Sequence, residues 1–112
     1  MKRKENNQIN RGDIYWCQPR GTANYMKRLY VVISNNTACK HGDSVLMCPL
    51  TSKRKKSLPT HVEIHNINGK TATVKCEDVY TISKKDILDY VTSLQNEELL
   101  KLNQAIFIAL GL

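Results

Sequence analysis

A small, mainly β domain closed by one C-terminal helix is the fold class the sequence predicts, and three observations predict it. Short β-branched or alternating runs, DIYWC, LYVVIS, SVLMCPL, HVEIHNI and TATVKC, recur between turn signals. Asn68-Gly69 separates two of these runs by the two-residue signal of a tight hairpin. Helical spacing is clearest at the end of the chain, where Leu99, Leu102, Ile106, Ala109 and Leu110 form one apolar stripe.

The elements follow in order. Residues 1–10 are polar and are expected to form a flexible basic arm ahead of a single domain at 11–112. Asp13–Cys17 reads as a strand with Ile14 and Trp16 on one face. Gln18–Lys27 has no period and contains Pro19 and Gly21, so it reads as a loop of about ten residues, long enough to suggest a functional role. LYVVIS is a strand expected to be buried on both faces, NNTACKHGD a polar turn region, and SVLMCPL a strand ended near Pro49. HVEIHNI sets Val62 and Ile64 against His61, Glu63 and His65, and TATVKC returns with Ala72, Val74 and Cys76 inward. VYTI adds an extended piece, and Ser83 with Asp86 predicts a short helical turn running to Tyr90. The last helix starts at Gln95 or Asn96, places Glu97 and Glu98 where the helix dipole favours anions, and stops at Gly111. Five or six short strands plus one helix predict a compact, curled antiparallel sheet.

Bulk properties narrow the function. A chain of 112 residues supports one modest core, and 41% hydrophobic residues fit an ordered domain. The longest apolar runs fall far short of the ~20 residues of a membrane span. The start, MKRKENNQIN, lacks the apolar segment of a secretory signal. A soluble cytoplasmic protein is therefore expected. Residues 1–56 hold 12 Lys and Arg against 3 Asp and Glu, while 57–112 hold 5 against 7. The first half thus carries +9 and the second −2, an asymmetry that points to a polyanionic partner. The four cysteines, Cys17, Cys39, Cys48 and Cys76, stand singly. Cys48 and Cys76 fall in strand-like runs as small hydrophobes, and Cys39, His41 and Cys48 lack standard zinc spacing.

The stretch PLTSKRKKSLPTHVE, Pro49–Glu63, concentrates chemistry at the mouth of a strand: two hydroxyls, Thr51 and Ser52, then Lys53, Arg54, Lys55 and Lys56. With RGDIYW (Arg11–Trp16), RLYVVISNN (Arg28–Asn36), SLPTHVEI up to Ile64, and EDVYTISKKDI ahead of a helix ending in LGL, it resembles the MazF/PemK-like toxins of type II toxin–antitoxin systems. The resemblance spans about Arg11 to Leu112. It implies an SH3-like small antiparallel barrel of the plasmid-maintenance-toxin kind with a C-terminal helix, and a homodimer. It also implies a sequence-specific, ribosome-independent endoribonuclease that needs no metal or other cofactor, cuts single-stranded mRNA to 2′,3′-cyclic phosphate and 5′-hydroxyl ends, and is blocked by a cognate antitoxin. The family's catalytic arginine and threonine match Arg28 and Thr51. The chain departs from the common pattern at Leu29, where many members have proline, and at Asp78 and Tyr80, where an amide and a cation are usual; the recognised sequence is expected to differ accordingly.

RNA transesterification suits such a pair. The 2′-hydroxyl must lose a proton, the 5′-oxygen must gain one, and the phosphorane charge needs donors; RNA brings its own nucleophile. The permanently charged fork of Arg28 matches phosphate oxygens. Thr51 can donate to a non-bridging oxygen and accept from the 2′-hydroxyl. The division of acid and base duty between the two stays open. The competing assignments are a salt bridge from Arg28 to Asp13 or Glu77, and a turn-forming hydroxyl for Thr51. Ser52, Lys53, Arg54, Lys55 and Lys56, with Arg20 and Tyr25 in the long loop and Asp78 and Tyr80 further on, are the expected RNA contacts. His61 and His65 invite a general-base reading, but their place on a polar strand face favours hydrogen-bonded structural roles. Trp16, on an apolar face, is expected in the core. The alternative function is a non-catalytic binder on the same barrel, either a CcdB-like topoisomerase poison or an RNA-binding pseudo-enzyme.

Overall fold

The computed structural model describes residues 8–21, 26–52 and 58–112. Among the described residues, seven strands and two helices follow one another: β1 (Asp13–Cys17), β2 (Arg28–Val32), α1 (Asn36–His41), β3 (Ser44–Thr51), β4 (His61–Ile67), β5 (Lys70–Lys75), β6 (Tyr80–Ser83), β7 (Ile87–Ser93) and α2 (Asn96–Ala109). All pairings are antiparallel, in the order β4-β5-β3-β2-β1-β7, with β6 also on β3.

β3 is the spine. Its first part pairs with β6 from Ser44↔Ser83 to Met47↔Tyr80, and its end pairs with β5 at Leu50↔Val74 and Thr51↔Thr73. Between these two registers the stretch from β5 to β6 carries three extra residues, so the segment around Glu77 and Asp78 leaves the ladder. The sheet curls because strand alternation feeds two cores. One side gathers Ile14, Val31, Leu50, Ile64 and Val74 under Leu102 and Ala105 of α2. The other gathers Tyr15, Tyr30, Val32 and Met47 with Cys39 of α1. β2 is buried on both faces from Tyr30 to Val32, as its unbroken β-branched run predicts.

The RGD start is a structural clasp. The Arg11 guanidinium donates to the Ile33 carbonyl (2.5 Å) and to Asn103 Oδ1 (2.6 Å), tying β1 to α2. Gly12, at φ +89°, sits where an added Cβ would lie 2.7 Å from Leu99 Cδ2. Asp13, only 2% exposed, accepts from Ser93 Oγ (2.7 Å) and from the Asn10 N–H (2.9 Å).

Two expected elements are corrected. The polar turn region contains α1, started by Asn35, whose side chain accepts from the Ala38 N–H at 2.8 Å. Ser83 does cap a turn, accepting from the Lys85 N–H at 3.3 Å, but that turn is a three-residue 3-10 segment, Lys84–Asp86. The chain from Ile87 is strand, because the free edge of β1 takes it up along Cys17↔Ile87 to Asp13↔Ser93. At the other end α2 agrees with its reading: Glu98 accepts from the Gln95 N–H (2.9 Å), and Gly111, at φ +71°, forms the left-handed stop. None of the described helices is long and apolar enough to cross a membrane.

Candidate active site

Arg28 opens β2 and Thr51 closes β3. The ladder between these strands runs Val32↔Met47, Val31↔Cys48, Tyr30↔Pro49. The pairing ends there, two residues short of both Arg28 and Thr51, so the two residues end adjacent strands just beyond it. Both line one cleft of about 400 Å³. Its floor is apolar, made by Trp16, Leu29, Leu50, Ile67 and Ala72. Its rim is polar: Lys27 and Arg28 on one side, Thr51 and Ser52 at the end of β3, and Asn68 and Lys70 from the hairpin tip.

The rim is electropositive. None of the described lining residues is acidic, and among the described residues Lys27, Arg28 and Lys70 form no ion pair. The carboxylates proposed as salt-bridge partners for Arg28 are held elsewhere. Asp13 belongs to the clasp, and Glu77 accepts from Thr60 Oγ1 (3.0 Å) and lies 2.9 Å from His61 Nε2. Burial alone would raise the Glu77 carboxyl; the hydrogen bonds from His61 and Thr60 outweigh it and hold the group below its ordinary range. His61 is hydrogen-bonded to Glu77, and His65 faces Thr71 Oγ1 at 3.2 Å.

Other expected contacts lie apart from the cleft. Arg20 is exposed and pairs with Asp86 (3.3 Å). Asp78 holds the Lys75 ammonium at 3.0 Å, which raises the lysine above its ordinary value. Tyr80 stands edge-on to Tyr30, with ring centroids 5.9 Å apart, at the margin of the second core. A phenol finds apolar burial there that a surface cation would not. Tyr25 and Lys53, Arg54, Lys55 and Lys56 lie outside the described residues. Cys39 and Cys48 belong to different cores, so the loose Cys39, His41, Cys48 grouping does not converge.

Three contributors escaped sequence reasoning. Lys27, Asn68 and Lys70 reach the rim only through tertiary folding, although the Asn-Gly hairpin was visible. Trp16 is half-buried: it packs against the core, as expected, and also forms cleft floor, with the Lys27 ammonium 5.5 Å from its ring centroid.

Comparison with known proteins agrees with this architecture. An endoribonuclease from a mycobacterial species superposes with a TM-score of 0.81 and 27% identity, covering 95% of this chain and 94% of that one. A mycobacterial endoribonuclease in complex with its cognate antitoxin gives 0.81 and 28%, covering 93% and 96%. MazF from Deinococcus radiodurans, at 17% identity and a TM-score of 0.78, covers 94% and 98% and shares the fold. Residues 10–110 match the model of the PemK-like, MazF-like toxins of type II toxin–antitoxin systems, and the chain belongs to that family.

Proposed function

We propose that this chain is the toxin of a type II toxin–antitoxin pair and acts as a sequence-specific endoribonuclease on single-stranded RNA. The observation that carries the reading is the meeting of Arg28 and Thr51 at the rim of one cationic cleft. A phosphate seated between them would receive two N–H donors from the guanidinium and one O–H from the threonine. Charge developing on the phosphorane would then face a fixed cation over an apolar floor, where such donors commonly contribute ~3–4 kcal/mol each. The 2′-hydroxyl attacks its own 3′-phosphate, so the bond to the 5′-oxygen breaks, leaving a cyclic phosphate and a 5′-hydroxyl. In this reading Thr51 orients the 2′-hydroxyl, and Arg28 acts by charge and hydrogen bonding through its planar guanidinium fork. That chemistry requires no cofactor.

The domain at 11–112, preceded by the basic arm at 1–10, would work as a cytoplasmic homodimer held inactive by an antitoxin, as the mycobacterial relative is found in complex with its own. Lys53, Arg54, Lys55 and Lys56, next to Ser52, would hold flanking phosphates. Sequencing of RNA ends after a brief pulse of expression tests the proposal. Recurrent 5′-hydroxyl ends at one short motif support it. RNA retained by the purified protein but never cut would instead identify a binder.

A further inference from the structure

The cleft holds more than a phosphate site. Its floor is an indole and four aliphatic side chains, and its volume, about 400 Å³, lies at the small-ligand end of the range of ligand pockets, ~300–1,000 Å³. A bare phosphate needs no apolar floor. Trp16 lines the cleft, and the ammonium of Lys27, also a lining residue, stands over its ring, 5.5 Å from the centroid. A ring face held by a movable cation can serve as a stacking platform when the cation swings aside. The surroundings suit a nucleic acid and not an apolar peptide: Lys27, Arg28 and Lys70 on the rim, no acidic residue among the described lining, and a net +9 over residues 1–56.

We propose that the floor is a nucleobase pocket, in which one base of single-stranded RNA stacks on Trp16 in the place of the Lys27 ammonium. This deepens the nuclease reading and rests on it for the identity of the polymer. Lys27, displaced from the ring, moves to the adjoining phosphate, so its charge is conserved in the complex. Asn68 also lines the cleft and carries both a donor and an acceptor. It meets the hydrogen-bonding edge of the stacked base, so that Trp16 supplies sequence-tolerant affinity and Asn68 the choice among bases.

Trp16 is the sole tryptophan of the chain, and its emission reports on the pocket directly. The probes are 2′-O-methyl decamers of U, A, C and G, which resist cleavage, and an abasic decamer of equal charge. At least one base-bearing decamer is expected to quench Trp16 saturably and to bind about 5- to 150-fold more tightly than the abasic one. Followed by anisotropy of labelled decamers, Trp16→Leu should erase that difference while keeping abasic binding, and Trp16→Phe should restore part of it. Asn68→Ala should compress the ranking among the four decamers. Equal affinity for base-bearing and abasic probes, or emission that ignores both, overturns the pocket. Cleavage of ordinary RNA is measured separately. A protein that cuts RNA with a base-insensitive Trp16 refutes the pocket alone; base-dependent quenching without cutting refutes the nuclease and keeps the pocket.

Discussion

Replacing Gly12 by alanine tests the junction where β1 meets α2. Two costs add there. Gly12 has φ +89°, outside the conformations an L-residue prefers, which costs about 1–2 kcal/mol. The new Cβ also falls 2.7 Å from Leu99 Cδ2 and 3.7 Å from Leu94 Cβ. Leu99 can turn its end away, yet it packs against the main core, so overpacking adds a further ~1–2 kcal/mol. The expected loss is about 2–4 kcal/mol, read as a lower urea midpoint at constant slope and a melting temperature lower by roughly 10–20 °C. A double-mutant cycle separates the parts. Gly12→Ala with Leu99→Ala should be less destabilised than the sum of the two single changes, by the steric share. A loss under about 0.5 kcal/mol for Gly12→Ala, or strict additivity in the cycle, would refute the argument.

Three further outcomes are expected. Asp13→Asn removes charge from a group that accepts from Ser93 and the Asn10 N–H, and should cost about 1–3 kcal/mol in urea denaturation. Asn103→Ala unties the Arg11 guanidinium from α2 and should cost on the order of 1 kcal/mol, with faster hydrogen exchange concentrated in α2. Glu77 has a lowered folded-state pKa, so its pairing stabilises above the unfolded value of about 4.3 and is lost as pH falls through the folded value. The difference in urea midpoint between wild type and Glu77→Gln should therefore be full at pH 7 and shrink as pH falls below about 4.

Much of this molecule is legible in the chain. β-branched runs, the Asn-Gly turn and the terminal stripe specify strands, hairpin and α2 because each obeys a local period that burial then rewards. What escaped reading was decided elsewhere. α1 has six residues and buries only Cys39, too little for a periodic signal, though Asn35 and Gly42 mark its ends. Ser83 is a true cap, yet residues 87–93 are strand because β1 offers an edge that no local signal announces. Arg28 and Thr51 were visible as residue types and through family resemblance; their sharing of one cleft depends on the pairing of β2 with β3. Asp78 and Tyr80 were equally visible, but their partners, Lys75 and Tyr30, depend on the excursion between β5 and β6.

The most direct measurement is the single-turnover rate of RNA cleavage, in excess EDTA, for wild type, Arg28→Ala and Thr51→Ala, with melting curves recorded on the same samples. The account predicts cutting by the wild type to cyclic-phosphate and 5′-hydroxyl ends, and a loss of about a hundredfold or more in each variant at unchanged melting temperature. Undiminished cleavage by both variants would contradict it.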